Sequence, residues 1–104
     1  MSGVNQPYRY QYEHVAASAT NQVLGGTGAK GDYLHKLIIT VSTAATAAVS
    51  IVDGALALHT ILPNSPGGGV GVYTVDIEAI SANGAWKINT GAGVEVMAVG
   101  IFSA

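Results

Sequence analysis

Two carboxylates, Asp76 and Glu78, are the residues whose spacing most resembles a catalytic pair. In an extended strand, residues two apart share a face and lie about 7 Å apart. Glycoside hydrolases use pairs of carboxylates at comparable separations. No aromatic platform for a sugar ring is evident beside this pair, so we interpret it as the solvated face of a strand.

The other candidates for chemistry are more dispersed. His14, His35 and His59 do not have the spacing of a metal-binding motif. The serines show no nucleophile elbow and no accompanying pattern of His and Asp. The sequence therefore predicts a protein that is not an enzyme and that holds neither a metal ion nor a cofactor.

A glycine-rich stretch, Gly26–Gly31, matches the pattern GxGxxG. A dinucleotide site needs a strand before this pattern and a helix after it, so that the helix N-terminus receives the pyrophosphate. Here the next predicted element is a strand, Tyr33–Val41. We interpret the stretch as a flexible loop. It leads into Lys30-Gly31-Asp32, an adhesive-type tripeptide that is too short to predict an activity.

The stretch Asp32–Asp53 is the clearest pair of strands, and it predicts a hairpin. Val49 and Ile51 resume the alternation after a turn of small residues at 43–46. In the first strand, one face is expected to hold Leu37, Ile39 and Val41, and the other Leu34, Ile38 and Thr40.

The second half of the chain continues in the same manner. Val70–Ile80 alternates apolar with polar residues, Asn83-Gly84 is a strong hairpin-turn signal, and Val94–Phe102 is the last predicted strand. Seven or eight short antiparallel strands without a convincing helix predict an all-β fold, a β-sandwich that resembles a jelly roll. The predicted core contains Leu37, Ile39, Val41, Val49, Ile51, Tyr73, Val75, Ile77, Trp86 and Val96.

The sequence pattern of residues 1–12 predicts an extended N-terminal arm. Residues 13–104 are predicted to form a single β-sandwich domain. Tyr8, Tyr10 and Tyr12 recur with period two, so their rings share one side of an extended segment and Arg9 lies opposite. Tyrosine suits interfaces because it joins an apolar ring to a polar tip. Tyr8, Arg9, Tyr10 and Tyr12 are therefore the predicted partner-binding residues. The alternative is a first strand that packs its rings on its own domain.

Composition narrows the classes of partner. The 104 residues are 10% charged, with a net charge of −2, whereas soluble domains are about 25% charged. Four dispersed cations do not make a phosphate-binding track, which argues against nucleic acid. The first 14 residues lack the apolar core that a signal peptide would have, and the sequence contains no apolar run of membrane-spanning length. The sequence predicts that other chains cover part of the surface; the alternative is a surface of Ser, Thr, Asn and Gly.

Three segments carry a family resemblance: GDYLHKLIITVSTAATAAVSIVDG at 31–54, LPNSPGGGVGVYTVDI at 62–77 and NGAWKINTGAGVEVMAVGIF at 83–102. They resemble small structural proteins of tailed bacteriophages, among them capsid decoration (cement) proteins. The resemblance implies a homotrimer that is made in the host cytoplasm and binds the major capsid protein on the virion capsid surface. Two alternatives stay open: a phage tail or fibre component, and a carbohydrate-binding β-sandwich module.

Overall fold

The computed structural model describes residues 10–42, 48–55, 57–62 and 70–104. Within these ranges the secondary structure consists of strands and turns without a helix, so no helix there could cross a membrane. The eight strands are β1 (Gln11–Val15), β2 (Gln22–Val23), β3 (Tyr33–Val41), β4 (Val49–Asp53), β5 (His59–Leu62), β6 (Gly71–Ile80), β7 (Trp86–Asn89) and β8 (Val94–Ile101).

The strands form two four-stranded antiparallel sheets. The first sheet has the order β1-β8-β3-β6, and the second has the order β2-β7-β4-β5. Buried side chains from both sheets form one apolar cluster. The predicted all-β sandwich is therefore confirmed, while its jelly-roll connectivity stays a prediction.

The predicted hairpin over Asp32–Asp53 is wrong. β3 pairs with β6 and β8 in the first sheet, whereas β4 pairs with β5 and β7 in the second. The chain therefore crosses between the sheets after β3. The alternation of apolar and polar residues predicted the positions of β3 and β4 correctly. Their pairing partners lie in distant parts of the chain, and local turn signals do not specify such pairing.

The turn at Asn83-Gly84 also joins different sheets, because β6 and β7 do not pair with each other. The Asp53 carboxylate at the end of β4 accepts hydrogen bonds from the amides of Ala82 and Asn83, at 2.9 and 3.0 Å. Partial burial raises the pKa of Asp53, but these hydrogen bonds, helped by His59, lower it by more, so that its pKa lies below the ordinary value. This carboxylate ties the sheet-crossing turn to the second sheet.

The core agrees closely with the predicted one. Seven of the ten predicted residues are buried: Leu37, Ile39, Val41, Val49, Ile51, Trp86 and Val96. The other three, Tyr73, Val75 and Ile77, are half-buried and pack against the core. All three lie on β6, which is the last strand in the order of the first sheet. Side chains of such a strand are covered from fewer directions.

One core residue lies on an unexpected face. Simple alternation places Leu34 and Leu37 on different faces of β3, yet both side chains are buried in the core. The cause is a β-bulge: Leu34 and Lys36 of β3 lie opposite the consecutive residues Gly100 and Val99 of β8. His35 is thus an extra residue in β3, and it shifts the alternation by one.

Asp32 anchors the glycine-rich loop and the end of the chain. Its carboxylate accepts hydrogen bonds from the Ala29 and Ser103 amides, both at 3.0 Å, and from the Ser103 hydroxyl at 2.7 Å. Its carbonyl oxygen accepts one from the buried Trp86 indole at 3.0 Å. The loop is therefore held in place, which differs from the flexible loop that we predicted.

Candidate functional site

The outer face of the first sheet, defined as the side that points away from the core, is the candidate site. The register places Tyr33 of β3 opposite both Ile80 of β6 and Ile101 of β8. Four residue pairs further along β3 and β8, Ile38 lies opposite Met97. Since successive residues of a strand point to opposite faces, these side chains lie on the face opposite Leu37 and Ala98, which are buried in the core.

This outer face is unusually rich in exposed apolar side chains. Eight large apolar side chains are strongly exposed in the described residues, and six belong to this face: Tyr10, Tyr12, Val72, Ile80, Met97 and Ile101. Single exposed apolar residues are ordinary, but several on one sheet face favour a binding surface. The same face also carries the exposed carboxylates Asp76, Glu78 and Glu95.

Three aromatic rings gather at one end of the outer face. The Tyr10 ring stacks on the His35 ring with centroids 4.6 Å apart and planes 15° apart. The Tyr33 ring is tilted against both of them, at 6.1 Å from Tyr10 and 5.7 Å from His35. We call these three residues the aromatic cluster. The stacking fixes the Tyr10 side chain although it precedes the first strand.

Two members of the aromatic cluster also form a hydrogen bond: the Tyr33 hydroxyl lies 2.9 Å from Nδ1 of His35. Burial raises the pKa of the Tyr33 hydroxyl, and the charges of Tyr10, Glu78 and Asp76 raise it further. The hydroxyl therefore stays protonated at neutral pH and can donate to Nδ1.

A shallow groove of 350 Å³ opens beside the aromatic cluster and is lined by Tyr10, Tyr33, Ile80 and Ile101. Its lining comes from β3, β6, β8 and the residue before β1. A groove with such a lining suits an apolar side chain of a partner better than a polar metabolite, which needs several convergent hydrogen-bonding groups.

Two further clefts, of 470 and 450 Å³, are lined by both apolar and polar side chains, and the first of them shares Tyr10 with the groove and adds Tyr12 and Phe102. In the first, the Glu13 carboxylate accepts hydrogen bonds from the Gln22 side chain at 2.8 Å and the Gly25 amide at 2.7 Å. In the second, the Asn89 amide group donates to the Asn21 side chain at 3.1 Å. These polar groups serve the fold.

The bulge in β3 also shapes this face. The pairing of β3 with β6 jumps from Leu34 and Ala79 to Lys36 and Asp76, so two residues of β6 lie opposite His35 alone. One of them, Glu78, has a positive φ of 52°. Bulges of this kind re-aim side chains near binding sites. Here the bulge coincides with the aromatic cluster.

The predicted partner-binding residues divide into two groups. Tyr8 and Arg9 lie outside the described residues. Tyr10 belongs to the aromatic cluster, and Tyr12 is 72% exposed. Tyr12 lies in β1 opposite Val99, so the described end of the predicted arm is a strand of the first sheet.

The other candidate residues stay apart. No group of three His, Cys, Asp or Glu side chains that could hold a metal ion occurs in the ranges given above. His14 lies 3.7 Å from Glu95, and both side chains are exposed. Asp32 of the tripeptide is buried and uses its carboxylate internally, so it is not available as an adhesive carboxylate.

Sequence reasoning missed Tyr33, His35, Ile80, Met97 and Ile101 as site residues. A signal was present in β8, where Met97, Val99 and Ile101 are apolar although they alternate with the core residues Val96 and Ala98. A strand whose successive residues are all apolar, on both of its faces, is typical of a sheet that is covered on both sides.

Comparison with known proteins adds no relative. No protein family matches the chain, and searches of curated proteins and of solved structures find no similar protein.

Proposed function

We propose that the chain is a non-enzymatic virion structural protein of a tailed phage, a decoration protein. In this proposal it binds the major capsid protein on the capsid surface as a homotrimer and stabilises contacts between capsomers. The observation that carries the proposal is the exposure of Tyr10 and Tyr12 at the β1 end of the first sheet. The resemblance of segments 31–54, 62–77 and 83–102 supplies the class of partner.

The two tyrosines suit a contact that depends little on charge. They are 47% and 72% exposed; at about 200 Å² for a buried tyrosine, a partner would cover about 240 Å² of them. At about 25 cal/mol per Å², this corresponds to about 6 kcal/mol before the costs of association. We expect such binding to persist at high salt, because screening weakens only charged contacts.

The experiment mixes the purified protein with expanded, undecorated capsids, which are then imaged and tested for thermal stability. We expect particles to be decorated and stabilised by the wild type and less so by Tyr12→Ser. A matched control is Leu58→Ser, which also truncates an exposed side chain but lies outside the first sheet. Protein found only at the tail, or capsids without a gain in stability, would favour the tail or fibre alternative.

A carbohydrate-binding module is the second candidate, and the same exposed tyrosines favour it, since sugar rings stack on exposed aromatic rings. Tyrosine fluorescence titrated with oligosaccharides distinguishes the two. A saturable change that Tyr12→Ser abolishes would support sugar binding, and a flat titration together with capsid binding would reject it.

A further inference from the structure

We propose that Asn83, in the turn between β6 and β7, is a site of spontaneous covalent modification. The main-chain nitrogen of Gly84 attacks the side-chain amide of Asn83, and the amide ends as a carboxylate. This inference concerns the turn that crosses between the sheets, and it does not rest on binding to a capsid.

The sequence makes Asn83 the most reactive asparagine of the chain. Of the five asparagines, Asn83 alone precedes a glycine, while the others precede Gln, Ser or Thr. The reaction brings the main-chain nitrogen of the next residue against the side-chain carbon Cγ of asparagine. A side chain on that next residue obstructs the approach, and glycine has none.

The structure leaves the reacting groups accessible. Asn83 is exposed, and among the described residues the Gly84 amide donates no hydrogen bond that would hold its nitrogen. By contrast, Asn89 ends the strand β7, and the amide of the next residue, Thr90, donates to the Ala19 carbonyl at 3.0 Å. Asn83 should therefore react well before Asn89.

The reaction needs only water as a partner. A bond forms between the Gly84 nitrogen and Cγ of Asn83, the bond from Cγ to Nδ2 breaks, and ammonia leaves with the proton that the nitrogen gives up. Water then opens the resulting cyclic imide at either of its carbonyl carbons. The products are aspartate and isoaspartate, and each adds a negative charge to the turn.

The new charge arises beside a carboxylate that already holds the turn. Asp53 accepts hydrogen bonds from the main-chain amides of Ala82 and Asn83, at 2.9 and 3.0 Å, and the Asn83 side chain also donates to it. A carboxylate at position 83 is an acceptor and cannot donate, and it repels Asp53. The modification therefore weakens the tie between the sheet-crossing turn and the second sheet.

The experiment incubates the full wild-type chain at neutral pH and follows each asparagine by peptide mapping and mass spectrometry. Modification adds about 1 Da, because an amide NH2 is exchanged for an OH. We expect Asn83 to be modified about 10-fold or more faster than Asn21 or Asn89, a difference of about 1.4 kcal/mol in activation free energy. Rates at Asn83 that equal or fall below those at the other two would overturn the proposal.

Two variants separate the reaction from its consequence. Asn83→Gln keeps an amide but moves it one methylene further from the attacking nitrogen, and it should abolish the mass gain at this position. Asn83→Asp reproduces the new charge and should lower the thermal midpoint by about 4–8 °C. In an Asp53→Asn background the same substitution should change the midpoint little, because the repulsion is gone. Equal losses in both backgrounds would refute the role of Asp53.

Discussion

The Asp32 carboxylate gives the sharpest test of how the fold is held together. It is 8% exposed and accepts three hydrogen bonds, two from main-chain amides and one from the Ser103 hydroxyl. Asp32→Ala leaves these donors without their acceptor and removes the side-chain tie between the loop at 25–31 and the end of the chain, while the Thr27 and Gly28 amides still donate to the Ser103 carbonyl. The variant therefore probes a contact that spans 71 residues of sequence.

The expected magnitude follows from the kind of hydrogen bond. A hydrogen bond to a charged group contributes about 1.5–3 kcal/mol, and the contributions are not additive when the donors can turn to water. We therefore expect Asp32→Ala to lower the free energy of unfolding by about 3 kcal/mol and the thermal midpoint by about 12 °C or more. Ser103→Ala, which removes only the hydroxyl donor, should cost about 1 kcal/mol.

The assay is urea unfolding followed by circular dichroism, with Asp32→Ala, Ser103→Ala and the double variant compared in a cycle. The double variant should be less destabilised than the sum of the two single variants, because both remove the same hydrogen bond. A loss below about 0.5 kcal/mol for Asp32→Ala, the range of ordinary surface substitutions, would refute the reasoning.

Three further predictions concern the glycine loop, the sheet-crossing turn and the first strand. Gly28→Ala should lower the free energy of unfolding in urea by about 3 kcal/mol, because the φ of Gly28 is +64° and the new Cβ would lie 2.4 Å from the Ala85 Cβ. The control is Gly31→Ala, whose Cβ would meet no atom within 4 Å. With a φ of +96° it should lower the free energy of unfolding by about 1 kcal/mol. The lowered pKa of Asp53 means that its contribution to stability is fully present above its unfolded pKa of about 4 and is lost as the pH falls through the folded value. Thermal midpoints from pH 7 to 3 should therefore fall less steeply for Asp53→Asn than for the wild type, and parallel curves would contradict this. Deleting residues 1–9 should leave the thermal midpoint nearly unchanged, whereas deleting residues 1–12 should lower it. The longer deletion removes the hydrogen bond of 2.8 Å that the Gln11 side chain accepts from the Phe102 amide, and the pairing of Tyr12 with Val99. Equal midpoints would show that this part of β1 adds nothing to stability.

Alternation along the chain was sufficient to predict most of the fold. It located β6 and β8 to within one residue at each end, and it placed Trp86 in the core. It did not give the pairing of β3 and β4 with other strands, because sheet membership depends on contacts between distant segments. Nor did it give the position of Leu34, since a bulge shifts the alternation without leaving a signal in residue type.

The candidate site was predictable only at its edge. Tyr10 and Tyr12 were found because they lie close together in sequence. Tyr33, Ile80 and Ile101 come together only through the pairing of β3 with β6 and β8. Their grouping therefore depends on the sheet order, which the sequence did not supply.

Thiol labelling at Met97 tests most directly whether association of copies of the chain, as in the proposed homotrimer, covers the exposed side chain at this position of the first sheet. The chain has no cysteine, so Met97→Cys and Leu58→Cys each introduce a single reactive thiol. As the protein concentration rises, Cys introduced at position 97 should react more slowly with a maleimide, while Cys introduced at 58 should react at a constant rate. Equal rates for the position-97 thiol in dilute and concentrated protein would contradict the claim.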